Sequence, residues 1–560
     1  MTREIDAADR AALARQFGDR LLEVRSPLSA CISDGAGTDC AAALSGLRNP
    51  YWIEDEPGGY HTAGWLGAYE PAHSACAVAV ETSADIAAAV RFARDRGVRL
   101  AIKGTGHDYL GRSRAGGSLL VWTHGMREVT VHDAFTPVGA PPGAQTGIPA
   151  VTVGAGARWL EAYRAVTARG RYVQGGGCLT VGAAGGFTQG GGFGSLSKHY
   201  GTAAGNLLEA EVVTADGEIL VTSAHQHPDL FWALRGGGGG TFGVVSAMTF
   251  RTHPVPETLS IIVGTIRASS DPDYRRLVGA LVRFLPHLDE QRWGEQIRFG
   301  PDNAVDLRMQ TAGVSDDQAR AVWRPFLGWA ARQPGVHVSE ASVATMPFAG
   351  FWDDRWWDEV RLETICHDDR PGQPARNFWW ATNQFEVSWY LDAYQSRWIP
   401  RSLFEESPDA LAEALFDASR HWAAELHVNK GLWGMPPDAA ERERATSVNP
   451  AAFDAAALLL MASFQEHAFP GVPGHEPDRV TGAANARQVG EAMKPIRAIT
   501  PGSGSYLNET DYFEPDWQHS FWGANYPRLL EIKRSGDPGN LLRVHHGVGS
   551  ESPPFVIAET

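Results

Sequence analysis

Two short stretches hold the residues best suited to chemistry. KGTGHDYLGRS, residues 103–113, sets one histidine, His107, directly after a Gly-Thr-Gly turn. A histidine so placed is a metal ligand, a catalytic base, a covalent attachment point or a polar loop residue. GGGCLTVGAAGGFTQGGGFGS (175–195) sets Cys178 among glycines, and RGGGGGTFGVV (235–245) is a second glycine run. Neither reads as ordinary helix, because glycine loses too much backbone entropy there. Regular valine and phenylalanine between the glycines argue against a disordered linker. Such backbone suits close approach to a phosphate or flat ring, with its N–H groups turned toward it. No Gly-Lys-Ser/Thr follows either run, and neither has the spacing of a Rossmann turn opening a helix, so kinases and dinucleotide dehydrogenases rank low. His225/His227 and His545/His546 lack converging carboxylates or a helical i, i+4 face, so no metal site is expected.

The elements that must hold these stretches fall into two textures. From about residue 70 to 250 helix and strand signals alternate. Thr82 to Asp85 reads as a capping box opening a helix that stops at Gly97. VRLAIKG is then a buried strand running into the turn that carries His107. SLLVWTH and AVTVGAG are further short strands, Arg158 to Arg169 an amphipathic helix closed by Gly170, and EAEVVTADGEILVTS a hairpin around Asp216-Gly217. TPVGAPPGAQTGIP, between His107 and Cys178, reads as a surface loop.

After about residue 255 the antiparallel-looking strands SIIVGTIRAS and EQIRFGPDNAVDLRMQTAGV lead into helices with aromatic loops. Nine of the 19 tryptophans lie between Trp352 and Trp433. The last sixty residues are motif-dense again. This pattern predicts an α+β chain with three segments: a cofactor-binding part at 1–255, a substrate-binding insertion at 256–495, and a return to the cofactor part at 496–560.

Composition narrows the partners. A chain of 560 residues exceeds one compact core. A formal charge of −16 argues against nucleic acid, which needs a basic face. No segment approaches the ~18 apolar residues of a membrane helix. The opening MTREIDAADRAALARQFGDRLLEV is helix-like without an apolar signal core, so the expectation is a cytoplasmic protein, or an exported one whose leader was removed. Five scattered cysteines fit neither a zinc spacing nor a disulfide scaffold, although Cys31 and Cys40 can close a short bridge in an oxidising compartment.

Taken in order, Asn49-Pro50, KGTGHDYLGRS, GGGCLTVG, FWALRGGGGGTFGVV, HVNKG (427–431), SYLNETDYF and NYPRLLEIKRSGDP resemble the berberine bridge enzyme-like flavoproteins of the vanillyl-alcohol oxidase / p-cresol methylhydroxylase superfamily. The resemblance implies a two-part FAD-binding domain with an inserted substrate domain of antiparallel sheet and helices. It implies FAD bonded through its 8α-methyl to His107 and through C6 to Cys178. A cysteine thiolate can attack an electron-poor ring, and flanking glycines let the backbone reach it. FAD contacts carried over with the motifs are Lys103, Gly104, Thr105, Gly106, Asp108, Gly111, Ser113, Gly177, Val181, Gly182, Gly185, Gly186, Gly190, Gly191, Gly192, Gly243, Val244 and a Tyr506–Asn508 strand.

The family's chemistry is hydride transfer to flavin N5, and a double linkage raises the flavin's potential while leaving a wide pocket. Val181, three residues after Cys178, matches the small oxygen gate of oxidases, which implies O2 as acceptor and H2O2 as product. Many relatives carry a base in Tyr-x-Asn-Tyr; here Tyr506-Leu507-Asn508-Glu509 places a glutamate at that position. Glu509 is one candidate base; Tyr506, His427 and Glu386 are others, with Asn508 beside them. Three functions follow: oxidation of an alcohol of a sugar, glycoside or polyol, possible on an oligosaccharide; oxidation or cyclisation of a secondary metabolite; or a non-redox flavin carrier. The sequence does not determine the oligomeric state.

Overall fold

The computed structural model describes residues 3–33, 35, 37–144, 147–360, 364–374 and 376–551, without the side chains of 340 and 384–386. The chain folds as the expected α+β protein around three large sheets, with a two-stranded ribbon of Ile365–His367 and Phe378–Trp380 beside them. The first holds parallel strands Cys76–Ala79, Leu119–Trp122 and Leu100–Lys103, with Leu21–Glu23 antiparallel at one edge. Helix Ser83–Arg96 connects two of these strands. Thr82 accepts from the Asp85 N–H, Asp85 reaches back, and Gly97 ends the helix in the left-handed conformation. The loop that follows Lys103 leaves from the carboxyl end of a parallel strand, where such sheets leave a crevice for ligands.

The second sheet is antiparallel, ordered Ile219–Ser223, Leu207–Val213, Val244–Pro254, Ile148–Gly154, Val129–Phe135, with Arg171–Val173 also on Val244–Pro254. The hairpin at Asp216-Gly217 forms, with Gly217 at φ +82°.

The third sheet has eight strands: Val336–Pro347, Thr258–Ala268, Ala304–Ala312, Gly294–Phe299, Ala424–His427, Ala455–Gln465, Trp389–Pro400 and Thr62–Trp65. Its last member comes from early in the chain and pairs in parallel with Trp389–Pro400. Sequence reading missed it because four residues are too few to show a period. The two faces of this sheet differ. Side chains alternate along a strand, and Ile262, Ile297, Leu307, Met309, Leu426 and Leu459 pack into one core with helices Asp271–Glu290, Asp316–Ala330, Pro408–Ser419 and Arg479–Ile499. Their neighbours Ile261, Gln296, Arg308, Gln310, Glu425, His427 and Leu460 line a cavity on the other face.

Cys31 and Cys40 form a disulfide. Among the described residues no helix is long and apolar enough to cross a membrane.

The alternation predicts opposite outcomes for adjacent substitutions. Leu307→Ala, in the helix-covered core, should cost about 2–5 kcal/mol, whereas Arg308→Ala, exposed on the cavity side, should stay within about 0.5 kcal/mol. Thermal melting of the two variants checks this; similar melting temperatures would contradict it.

Candidate active site

The cavity between the eight-stranded sheet and the glycine loops has a volume of about 1630 Å³. That exceeds the ~300–1,000 Å³ of ordinary ligand pockets and leaves room for cofactor and substrate together. Of the expected contact residues, Gly104 to Asp108, Ser113, Gly177, Cys178, Val181, Gly182, Gly185, Gly186, Gly243, Tyr506 and Asn508 line it, as do Glu509 and His427.

Six others do not line it, for identifiable reasons. The Lys103 ammonium turns away to donate to the carbonyls of Glu56 (2.7 Å) and Gly59 (2.5 Å). Gly111 packs under the Tyr69 ring, Gly190 under the Asn508 amide, Gly191 against Phe193, and Gly192 against Ala203. Val244 is buried in a strand behind the loops. Residues 506–508 are a turn, with a bridge between Tyr506 and Glu509, in place of the expected strand.

The wall fits a large flat cofactor. At Gly185 and Gly186 an added Cβ would meet no protein atom within 4 Å, so this backbone is bare toward the cavity. The second glycine run supports the first, since a Cβ on Gly239 would lie 2.7 Å from Gly186 Cα. Around Cys178 the loop is pinned by Trp380 Nε1 donating to Gly177 O (2.9 Å) and Tyr163 Oη donating to Gly176 O (2.7 Å).

His107 and Cys178 meet at Thr180. Its hydroxyl lies 2.9 Å from His107 Nε2 and 3.7 Å from Cys178 Sγ. His107 also stacks on His61, with ring centroids 3.4 Å apart, and its Nε2 is 3.2 Å from Glu54 Oε1. Glu54 Oε1 is equally 3.2 Å from His61 Nε2, and Glu54 Oε2 accepts from Arg158 Nε at 2.6 Å. Burial would raise the Glu54 pKa, but the Arg158 charge and the hydrogen bonds from His107 and His61 outweigh it and hold it well below the usual carboxylate range. Burial, with the neighbouring His107, pushes His61 down to about 3, so its ring is neutral. Glu54, His61 and His107 bring donor atoms within 4.8 Å of one another. No sequence motif announced Glu54, His61 or Arg158, whereas Thr180 lies inside the recognised Cys178 loop.

On the opposite wall Glu509 pairs with Lys430 Nζ. Lys430 lies in the HVNKG stretch, where its type alone gives no sign of this partner. His427 is buried, its Nε2 has no hydrogen-bond partner among the described residues, and Glu425 Oε2 is 3.6 Å from it. Tyr506 is a poor base in this setting: burial, then the Glu509 charge, raises its pKa further above 10. Asn508 Nδ2 donates to Tyr506 Oη and to Gly186 O, both at 3.1 Å, and so ties the turn to the glycine loop. The Glu386 side chain lies outside the described residues.

Comparison with known proteins decides the family. Residues 74–223 match a family profile described as an FAD binding domain, and 505–549 one described as berberine and berberine like. FAD-linked oxidoreductase ZEB1 of Gibberella zeae is 32% identical over 479 residues, covering 85% of this chain and 76% of that protein. The VAO-type flavoprotein oxidase VAO615 of Thermothelomyces thermophilus is 33% identical, with 85% and 76% covered. The chain belongs to the berberine bridge enzyme-like, VAO-type FAD-linked oxidoreductases. It is an FAD-dependent enzyme.

The crystal structure of the VAO-type flavoprotein MtVAO615 from Myceliophthora thermophila C1 superposes with a TM-score of 0.78 at 28% identity, covering 98% of this chain and 96% of that one. Glucooligosaccharide oxidase from Acremonium strictum, which carries 6-S-cysteinyl, 8α-N1-histidyl FAD, shares the fold with a TM-score of 0.67 at 21% identity, covering 94% and 99%.

A side chain added at the bare glycine wall would occupy space that a flat cofactor needs. Gly185→Val, pointing into empty cavity, should give folded protein with strongly reduced flavin per chain. Flavin absorbance against protein absorbance reads this directly, and full occupancy would show that FAD lies elsewhere.

Proposed function

We propose that this chain is an oxidase with FAD bonded to both His107 and Cys178, acting on an alcohol carbon of a sugar, glycoside or related polyol. The observation that carries this reading is the convergence of His107 and Cys178 on one hydroxyl, Thr180 Oγ1, at the cavity wall. The same pair of linkage types in glucooligosaccharide oxidase supports it. FAD supplies the two-electron acceptor, and O2 takes the electrons onward as H2O2; Val181 beside Cys178 keeps that part of the wall small.

The residues of this chain bind, orient and move a proton. Backbone at Gly185-Gly186 presents no side chains to the cofactor. Glu509 accepts the substrate hydroxyl proton, and its ion pair with the Lys430 ammonium fixes its direction. Trp356, Trp357, Trp380, Trp389 and Trp422 line the cavity and offer flat faces to sugar rings. The substrate is thus a small molecule or oligosaccharide. The Cys31–Cys40 disulfide supports an oxidising compartment over the cytoplasm.

A second reading, oxidation or ring closure of a secondary metabolite, is favoured by the wall where Trp389 stacks on Phe464 (centroids 3.8 Å) beside the stacked pair Tyr109–Tyr394 (5.2 Å). That wall suits a planar aromatic equally well.

Acid precipitation followed by mass measurement tests the linkage. Wild type, His107→Ala and Cys178→Ala should each carry one added FAD mass, and the double variant none; flavin washing off the wild type would end the reading. Turnover of sugars against polycyclic alcohols, with peroxide as readout, separates the two substrate classes. Glu509→Gln should keep the flavin yet lose about 10²–10⁴-fold in kcat. If His427→Gln shows that loss and Glu509→Gln does not, the unpartnered His427 nitrogen is the base.

A further inference from the structure

Beneath His107 lies a group of polar side chains that neither cofactor cradling nor the Glu509–Lys430 pair requires. Glu54, His61 and Arg158 are all fully buried, where an unpaired charge costs several kcal/mol or more. Arg158 satisfies one oxygen of Glu54. The other, Oε1, faces both His61 Nε2 and His107 Nε2 at 3.2 Å.

A carboxylate oxygen only accepts, so each of these nitrogens carries a hydrogen. Thr180 Oγ1 sits at 2.9 Å from the same His107 nitrogen. With the Glu54 carboxylate beside it, Nε2 of His107 is the nitrogen set to carry the hydrogen, which leaves the ring's lone pair on Nδ1. The His61 ring, stacked at 23°, sets the plane in which Nδ1 points. Three donor atoms within 4.8 Å also resemble a metal site, but the Arg158 guanidinium on Glu54 places a positive charge beside any bound cation.

We propose that Glu54, held by Arg158 and flanked by His61, activates His107 for its own attachment to the flavin. This rests on the reading that His107 is a linkage residue. As Nδ1 gives its lone pair to the 8α carbon, positive charge develops on the imidazole, and the adjacent carboxylate stabilises it while the Nε2 proton is released. The 8α carbon loses one proton as the new N–C bond forms. The two electrons released pass through the ring system to O2, which leaves with the two protons as H2O2. Glu54 thereby stabilises the charge that develops on His107, and His61 is a positioning residue that acts through ring stacking.

The test uses Cys178→Ala as parent, so that His107 is the only covalent anchor. Flavin in the folded protein is read from its absorbance, and bonded flavin from the fraction that precipitates with the chain in acid. Glu54→Gln should keep the flavin in the folded state while bonded flavin formed in the same time falls at least about ten-fold, within what one positioned electrostatic partner supplies. Glu54→Asp, which keeps the charge, should recover part of it. Bond formation in Glu54→Gln at the parent's level overturns the proposal. So does loss of folded-state flavin in equal proportion, which would make Glu54 merely structural.

Should Glu54→Gln fail to fold, the parent itself decides. NMR of its flavin peptide should place the bond at Nδ1, and a bond at Nε2 overturns the proposal. A parent that releases all its flavin in acid refutes the linkage reading instead, a result distinct from either.

Discussion

Everything at this site depends on one sheet presenting two unlike faces. The strands that carry Leu307 and Leu426 into a helix-covered core carry Arg308, Glu425 and His427 into the cavity, one residue away in each case. A half-buried antiparallel sheet requires this alternation. Slippage by a single residue would bury arginine and glutamate against helices and turn leucine toward the cofactor. Four packed helices therefore do more than stabilise: they hold the register that makes the opposite wall polar.

Facing that wall, the glycine loops do the complementary task. They remove side chains from one surface so that backbone can approach a ligand, and they are kept in place by large groups from behind. Gly175 packs against the Trp159 indole, and the Trp380 indole reaches across to Gly177 O. The cavity is thus rigid on the loop side through aromatic packing and chemically varied on the sheet side. Lys430 and Glu509 span the two, one following a sheet strand and the other on the C-terminal turn.

The buried group below His107 shows how charge is managed away from water. Glu54 has Arg158 on one oxygen and two histidines on the other, so a fully desolvated carboxylate remains ionised. The burial of His61 keeps its ring neutral, which avoids a second cation against the arginine. Such a network is stable only when all of its members are present.

The amino-acid sequence alone determined what is local or carried by contiguous motifs. The Thr82–Gly97 helix, the strand into the His107 turn, the Asp216-Gly217 hairpin and the glycine runs rest on capping, backbone freedom and short-range period, and each is visible within a dozen residues. The family followed from the order of its motifs. Tertiary structure alone decided what depends on residues distant in the chain. Thr62–Trp65 joins the far sheet through one parallel pairing, and Glu54, His61 and Arg158 come together under His107 from three separate elements. Lys430 finds Glu509 across 79 positions, and Lys103 turns from the cavity because three carbonyls of residues 56–59 claim its ammonium. Pairings of this kind leave no period or motif in the sequence, because long-range packing and charge compensation alone select the partners.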